Sequence, residues 1–432
     1  MNVTKQFSVY VFRSILGMVG ISLYLLADTY FISAAVGADG ITALNLILPI
    51  YSLIFALGAM IGVGSAIRFT IESVRKSDDK DNFFFNALFW GTMVGLIFSF
   101  LGIFFPEKIM TIIGADSNIC AVGSGYTRIF MSCAPFFIYN HILNSFVRND
   151  DAPSTAMAAT LLSSLFNIAA DYIFMFPMKM GMEGAALATG ISPLIGVLIC
   201  SIRLASKKSS VRLKFCTPSL KKLLYSCQVG ISSFVGEISS GVTTAVFNGL
   251  ILSAAGNTGV AAYGIVANCS LVAASMFNGI AQGSQPIVSS LCGDRDIKGI
   301  KKTAKLAAAT SLIISSMIIS VIFIFAKEIT AIFNSAGDPL LAAYAENGIK
   351  LYFIGFLFAG LNISAAGILS AAEAAKAAFS VSVSRGFIAI ILCAVIMSAV
   401  WGLNGIWLSF AAAELITFLI VLFELKRTIF KR

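Results

Sequence analysis

The sequence has 432 residues, of which 58% are hydrophobic and only 12% are charged, whereas a soluble domain carries about 25% charged residues. This composition excludes an ordinary soluble enzyme and indicates a membrane protein. The formal net charge of +9 does not indicate nucleic-acid binding, because the basic residues lie beside the ends of apolar runs, where they report membrane topology. We therefore expect no nucleic-acid partner and no enzymatic activity.

About twelve apolar runs follow one another along the chain, and most have ~18–25 residues, which is enough helix to cross a ~30 Å hydrocarbon core. In the first half they predict spans at residues 7–36, 43–67, 84–105, 119–147, 154–176 and 184–205. In the second half they predict spans at residues 223–254, 260–290, 303–326, 340–369, 378–400 and 404–425. We therefore predict an all-α polytopic membrane protein with 12 transmembrane helices.

Lys and Arg residues cluster in every second gap between the runs. The even-numbered gaps and both termini hold about 25 of the 30 basic residues, and the odd-numbered gaps hold about four. Because a Lys/Arg excess marks the cytoplasmic side, both termini are expected in the cytoplasm and the protein in the cytoplasmic membrane. The longest basic segment lies at the midpoint of the chain. It predicts an N-lobe at residues 1–206, a basic cytoplasmic linker at 207–222 and a C-lobe at 223–432.

An internal repeat supports this division. The outer turn from Gly37 to Ala43 and the turn from Gly256 to Ala262 have glycines at the same two positions, and the same offset carries Gly64 onto Gly283. Both halves start and end on the same side of the membrane, so the repeat is parallel and predicts two pseudo-symmetric six-helix lobes around a central cavity. The sequence contains no phosphate-binding G-x-x-x-x-G-K-[ST] motif, so transport through such a cavity is expected to depend on an ion gradient.

Ionisable side chains inside spans are costly in hydrocarbon and are therefore functional candidates. The acidic ones are Asp28, Asp171, Glu237, Glu373 and Glu414. Asn167 and Asp171 are four residues apart and share one helix face. Two carboxylates and an amide oxygen would form a hard-oxygen site for a small cation; without a metal ion, the paired carboxylates would instead hold a proton. The alternative is that Asp28 and Asp171 only bond to backbone donors or hydroxyls and pack helices.

A set of short motifs in a fixed order carries a family resemblance. They are Ala27–Ser33 with Gly37-Ala38-Asp39, Arg148-Asn149-Asp150 followed by Pro153, Asn167-x-x-x-Asp171, Gly181–Thr189, Gly259–Gly264 and Asn278–Val288. Together they resemble the bacterial type of the MATE family, the multidrug and toxic compound extrusion transporters, over nearly the whole chain. The resemblance implies twelve helices in two lobes, a cavity that opens alternately to the two sides, and export of organic, often cationic compounds in exchange for Na⁺ or H⁺.

The resemblance also implies which residues form the site. Carried over by position, the cation site would comprise Asp28, Asn167, Asp171 and Thr189, with Na⁺ or H⁺ as the coupling ion and no other cofactor. Secondary candidates in the C-lobe are Glu237, Glu373 and Glu414. Glu237 resembles a span-7 glutamate of some family members. Glu373 lies near a cytoplasmic gap, and pairing of Glu414 with Arg385 is the alternative to a coupling role.

A second function stays open on the sequence alone. A flippase of lipid-linked oligosaccharides or peptidoglycan precursors, from the same wider superfamily, would also move amphiphiles through a two-lobe cavity. Such a protein needs basic groups in the cavity for phosphate, and few basic residues lie at membrane depth here, Arg128 and Arg385 among them. We therefore favour an exporter that acts as a monomer in membrane lipid on small organic cations.

Overall fold

The computed structural model describes residues 3–334 and 337–430, except for the side chain of Ala38. Within these ranges all regular secondary structure is helical. The first half contains α1 (Val3–Ala35), α2 (Ala38–Val74), α3 (Lys80–Phe104), α4 (Pro106–Ile112), α5 (Ser117–Ser132), α6 (Ala134–Asn149), α7 (Pro153–Met175) and α8 (Gly181–Ala205). The second half contains α9 (Leu220–Gly293), α10 (Ile297–Phe333), α11 (Pro339–Phe353), α12 (Phe356–Ala371), α13 (Ala375–Val383), a π-helical turn (Ser384–Ile388), α14 (Ala389–Leu425) and a second π-helical turn (Lys426–Phe430).

These helices account for the predicted spans. Among the described residues, eight helices, or nine with the bent pair α11–α12, are long and apolar enough to cross a membrane. Two of these helices each contain two spans. Helix α9 breaks at Gly256 (φ 63°, ψ −161°), and α14 breaks at Gly402 (φ 55°, ψ −134°). Helices α5 and α6 supply the remaining span, which is interrupted at Cys133 just before Pro135. The described part of the chain thus confirms the all-α polytopic fold.

Helix starts follow local chemistry. Aspartate side chains cap three helices by accepting hydrogen bonds from backbone N–H groups that have no partner inside the helix. These residues are Asp116 at α5, Asp296 at α10 and Asp338 at α11. Proline occupies the first turn of α4, α6, α7 and α11, where a missing N–H costs nothing. The outer gap predicted at residues 106–118 therefore contains a short helix, α4, that begins at Pro106.

The internal repeat is visible in the backbone itself. Residues with positive φ occur in pairs about 220 residues apart, as expected for two copies of one fold. The pairs are Gly37 and Gly256, Lys76 and Arg295, Gly114 and Gly337, Asp151 and Glu373, and Gly181 and Gly402. Lys179 is the exception among the described residues. Because this conformation is uncommon for non-glycine residues, pairs such as Lys76 with Arg295 indicate that both halves follow the same path.

The chain forms two compact units. Leu16–Glu237 make up the first unit, and the described residues of Met1–Ile15 and Ile238–Arg432 make up the second unit. The boundaries between the units fall inside α1 and inside α9. The division into an N-lobe, a linker and a C-lobe at residues 206 and 223 stays a prediction that rests on charge and on the repeat.

Each unit contains a close helix crossing that needs glycine. In the first unit, the start of α9 crosses α2, and a Cβ on Gly64 would overlap the backbone oxygen of Ser226. In the second unit, the start of α1 crosses the later part of α9, and a Cβ on Gly283 would lie 2.6 Å from the Cα of Val11. Gly64 and Gly283 are equivalent in the repeat, so both crossings use the same small residue to let two backbones meet.

The segment between α8 and α9 is bound to the first unit by a buried carboxylate. Asp150 accepts hydrogen bonds from the backbone N–H of Ser210 (2.8 Å) and from its hydroxyl (2.6 Å). The other oxygen of Asp150 lies 3.1 Å from a guanidinium nitrogen of Arg203. Since the Asp150 side chain is only 3% exposed, this carboxylate holds the start of the predicted linker against the α6–α7 turn.

Further contacts continue along the same segment. Asp81 accepts from the backbone N–H of Arg212 (3.1 Å), and Asn86 accepts from that of Ser219 (2.7 Å). Lys222 forms an ion pair with Asp79 at 3.0 Å, and its ammonium group lowers the pKa of the Asp79 carboxyl. Because Asp79 is 64% exposed, this pair is screened by solvent and contributes little to stability.

Gly64→Ala is expected to lower the melting temperature of the purified protein in detergent, because the added methyl group has no space at the α2–α9 crossing. Overpacking of this kind costs roughly 1–3 kcal/mol. Gly241→Ala is the matched control, since a Cβ at that position of α9 meets no atom within 4 Å. Equal melting temperatures for the two variants would contradict the close crossing.

Asp150→Ala is expected to accelerate cleavage by trypsin at Lys207, Lys208, Arg212 and Lys214, because the segment loses its anchor to Ser210 and Arg203. Loss of one partner from a buried pair costs about 3–5 kcal/mol. The measurement is limited proteolysis of the wild type and the variant at one protease concentration. Asp79→Ala serves as control and is expected to be cleaved at the wild-type rate; equal rates for all three proteins would show that Asp150 does not anchor the segment.

Candidate cation site

The structure brings the four residues predicted for the cation site into the first unit. Asp28 lies on α1, Asn167 and Asp171 lie on α7, and Thr189 lies on α8. All four are buried: Asp28 is 6% exposed, Asn167 and Asp171 are fully enclosed, and Thr189 is 2% exposed. The consecutive helices α7 and α8 and the sequence-distant α1 thus contribute polar groups to one dry part of the unit.

Small residues allow these helices to approach each other. A Cβ on Gly20 of α1 would lie 2.5 Å from the Leu161 side chain of α7, so the two helices touch about two turns before Asp28. On the opposite side of α7, the Ser163 hydroxyl donates to the backbone oxygen of Ser192 on α8 at 2.5 Å. Because α7 is held between α1 and α8, its next two turns carry Asn167 and Asp171 to the positions facing both neighbours.

The carboxyl groups of Asp28 and Asp171 lie within hydrogen-bonding reach of each other. The Asn167 amide nitrogen is directed to the Thr189 hydroxyl at 3.4 Å, which is a long contact. Within the described residues, no hydrogen-bond donor reaches Oδ1 of Asp28, Oδ1 of Asn167 or either carboxyl oxygen of Asp171. Since almost all buried polar atoms in proteins are paired, these four oxygens mark a place that suits a bound ion, an ordered water or a shared proton.

Two tyrosines that the sequence analysis did not identify lie beside the site. Tyr126 of α5 is 1% exposed and contacts the Thr189 side chain. Tyr24 lies one helical turn before Asp28 on α1, and its hydroxyl is 3.0 Å from the hydroxyl of Tyr51 on α2. The spacing of Tyr24 and Asp28 was a usable signal, because residues four apart share a helix face. Tyr126 gave no such signal, since its approach depends on tertiary packing.

Aromatic side chains extend from Tyr51 into the core of the first unit. Its ring stacks on Phe55 with centroids 4.3 Å apart and on Phe130 with centroids 5.0 Å apart. Phe137 contacts Phe130 at 4.9 Å. This packed cluster lies beside the acidic pair on the α2 and α5 side, so it excludes water from the neighbourhood of the carboxyl groups.

The donor set determines what the site can bind. Carboxylate, amide and hydroxyl oxygens are hard ligands that suit small cations such as Na⁺, and two facing carboxyl groups can also share a proton. Across residues 3–334 and 337–430, no group of three or more His, Cys, Asp or Glu side chains has the arrangement of a metal site. The geometry therefore fits one small monovalent ion or a proton rather than a transition metal.

The three secondary candidates have different surroundings. Glu237, in α9, has an exposed side chain and is the last residue of the first unit. Glu373 follows α12 in a turn with φ 58°. Glu414, in α14, is 2% exposed and lies 2.6 Å from the Arg385 guanidinium. Glu414 therefore has a basic partner inside the helical bundle.

The second repeat has aromatic residues at two of the four positions that form the site in the first repeat. Asp28 and Phe247 occupy equivalent positions in the two repeats. Each lies nine residues before the positive-φ glycine of its repeat, which follows α1 in the first repeat and interrupts α9 in the second. Thr189 and Phe410 are equivalent as well. Each lies eight residues after a positive-φ glycine, which begins α8 in the first repeat and interrupts α14 in the second. Tyr352 stacks on Phe410 at 4.1 Å and contacts Phe247 at 5.9 Å. The second repeat thus lacks the oxygen ligands of the first at these two described positions.

Comparison with known proteins agrees with this architecture. The MatE family model matches residues 14–173 and 232–395, one segment in each half of the chain. The multidrug export protein MepA of Staphylococcus saprophyticus is 27% identical over 398 residues, which cover 91% of this chain and 87% of that protein. MepA of Staphylococcus aureus is 28% identical over 397 residues, which cover 91% of this chain and 86% of that protein.

Solved structures show the same fold. An outward-facing multidrug resistance MATE transporter of the MOP superfamily has a TM-score of 0.93 at 20% identity, with 99% of this chain and 96% of that chain covered. A MOP superfamily transporter from Pyrococcus furiosus has a TM-score of 0.92 at 19% identity, with the same coverage. At these identities the likeness establishes the polytopic MATE fold, and it does not assign a substrate.

Asp171→Asn is expected to raise the melting temperature at neutral pH in sodium-free buffer. The substitution removes one of two facing carboxyl groups, and its amide supplies a donor to the unpaired Oδ1 of Asp28. Satisfying such a buried group gains roughly 1–3 kcal/mol. Thermal unfolding is compared with the wild type and with Asp39→Asn, which changes an exposed carboxylate. A lower melting temperature would show that the protein already satisfies the Asp171 carboxylate.

Proposed function

The chain belongs to the MatE family, and from this premise we propose that it is a multidrug exporter of the cell membrane. In this proposal it exchanges organic, often cationic compounds for Na⁺ or H⁺. The ion binds at Asp28, Asn167, Asp171 and Thr189. The observation that carries the ion site is the set of four buried oxygens without donors in the first unit. The names of the MepA relatives, both multidrug export proteins, support the class of substrate.

The site supplies a driving force through the charge of its two carboxyl groups. An uncompensated charge in a dry pocket is unfavourable, and a bound Na⁺ or proton removes much of that cost. A conformation that encloses the pocket is therefore favoured when the ion is bound, and a conformation that hydrates the carboxylates is favoured when it has left. The ion drives transport only to the extent that its affinity differs between these conformations.

Coupling to the exported compound follows from linkage. If ion binding lowers the affinity for an organic cation, then the organic cation lowers the affinity for the ion by the same factor. In the proposed cycle the ion enters from outside and promotes drug release outward. It then leaves to the cytoplasm, and the emptied carboxylates favour the loading of the next cationic compound. The cycle needs alternating access and a single chain, and no further cofactor.

The proposed orientation places both termini in the cytoplasm. The basic segment after α8 supports it, because its backbone is bonded to Asp150 and Asp81 on the same face of the first unit. Lys and Arg at a membrane end favour the cytoplasmic side.

The exporter is favoured over the lipid-linked flippase by the state of the deep basic residues. Arg385 is paired with the Glu414 carboxylate at 2.6 Å, so its charge is already neutralised within the protein. Arg128 has an exposed side chain on α5. A flippase would need such groups to be available for the phosphates of its substrate.

Asp28→Asn and Asp171→Asn are each expected to reduce efflux of ethidium from proteoliposomes to the level of protein-free liposomes. A neutral amide carries no negative charge, so it neither takes up a proton nor compensates the charge of Na⁺. Efflux is followed by fluorescence under an imposed Na⁺ gradient or an imposed pH gradient. The gradient that drives the wild type identifies the coupling ion.

Asp39→Asn is the control for this assay, since it removes an exposed carboxylate near the end of α1 and is expected to transport at the wild-type rate. Wild-type efflux by either buried-site variant would contradict the coupling role. Transport of a lipid-linked substrate, with none of the organic cation under either gradient, would support the flippase instead.

A further inference from the structure

A second polar cluster lies in the second unit, whereas the residues proposed for ion coupling belong to the first unit. The Glu414 carboxylate accepts from Arg385 Nε at 2.6 Å through Oε1 and from the Asn362 amide at 2.7 Å through Oε2. The same amide also donates to the backbone oxygen of Glu414 at 2.8 Å. One acid is thus enclosed by one cation and one amide, and the Asn362 Oδ1 atom is buried without a hydrogen-bond donor among the described residues.

The backbone presents Arg385 to this cluster through the π-helical turn Ser384–Ile388, which lies between α13 and α14. Ser384 is hydrogen-bonded to the Thr417 hydroxyl at 3.1 Å, and a Cβ on Gly386 would overlap the Ser239 side chain of α9. Both neighbours of Arg385 in sequence are therefore fixed against other helices. A single wide turn of this kind in a helix frequently marks a functional position.

The first repeat lacks both the acid and the base of this cluster. Asn362 lies eleven residues before the positive-φ residue after α12, and Asn140 lies eleven residues before its counterpart after α6. Both asparagines have a buried Oδ1 without a donor. Counted from the same pair of residues, the position equivalent to Arg385 is Ser163. Counted from the positive-φ glycines at the start of α8 and within α14, the position equivalent to Glu414 is Pro193, so both positions are neutral. The first repeat thus has the amide without either charge.

We propose that Arg385 is a tethered cation that fills a monovalent-cation site made by Glu414 and Asn362, so that Glu414 takes up no coupling ion. A carboxylate beside a free amide oxygen is the same donor chemistry as in the first unit, but here the positive charge is part of the chain. The Arg385 side chain is 24% exposed. Once the guanidinium has been removed by mutation, a small cation added to the buffer can therefore reach its position beside the Glu414 carboxylate.

The occupancy of the site can be tested by thermal unfolding, without any transport measurement. Arg385→Ala is expected to melt at a lower temperature than the wild type, because it leaves the Glu414 carboxylate without its cation. Guanidinium chloride at millimolar concentration is expected to restore the melting temperature in a saturable manner, whereas choline chloride at equal ionic strength is not. The wild type and the Arg385→Ala/Glu414→Ala double variant are expected not to respond. An Arg385→Ala response no larger than that of the double variant would overturn the proposal.

A second variant tests the consequence for transport and replaces the first if Arg385→Ala does not fold. The charge-free Arg385→Met/Glu414→Met protein is expected to fold and to retain efflux driven by the same ion as in the wild type. A folded double variant that has lost its response to the ion gradient would show that Glu414 itself takes up a coupling ion, and would overturn the proposal.

Only this transport arm rests on the proposed antiport. Absence of efflux by the wild type would count against the proposed function, and the thermal arm would still decide whether Arg385 fills a cation site.

Discussion

The contact between the carboxyl groups of Asp28 and Asp171 is the constraint on which the first unit depends. Within the described residues neither group has a basic partner, and both are held at less than one-tenth exposure by the packing of α1 and α8 on α7. Two such groups cannot both be charged in a dry pocket without a compensating cation. The close approach at Gly20 and the hydrogen bond from Ser163 therefore keep the protein in a state that requires an ion or a proton.

The two repeats share a backbone and differ in chemistry. Their turns adopt the same left-handed conformations, down to the pair Lys76 and Arg295, and their glycine crossings are equivalent. Yet Thr189, one of the site residues of the first repeat, corresponds to Phe410 in the second, whose ring stacks on Tyr352. The charges of the second repeat, Arg385 and Glu414, neutralise each other. A parallel duplication followed by this specialisation would leave one unit to respond to the ion, while the other keeps a fixed charge state.

Sequence reasoning succeeded where hydrocarbon imposes a simple rule. Long apolar runs had to be helices because lipid satisfies no backbone polar group, and the acids on those helices stood out because burial there is costly. It failed where tertiary packing decides. The short helix at Pro106, the contact of Tyr126 with Thr189, and the π-helical turn that carries Arg385 depend on neighbours distant in sequence. The unit boundary inside α9 is likewise a property of contacts, whereas the predicted lobes rest on charge and on the repeat.

The central claim is that an ion at Asp28 and Asp171 and an exported organic cation compete through one conformational equilibrium. The most direct test is the dissociation constant of ethidium for the purified protein, measured by fluorescence anisotropy across a series of Na⁺ concentrations and pH values at constant ionic strength. The account predicts that the dissociation constant rises with Na⁺ or with proton concentration until it reaches a plateau, and that Asp171→Asn abolishes this dependence. A wild-type dissociation constant that is independent of both ions would contradict the account.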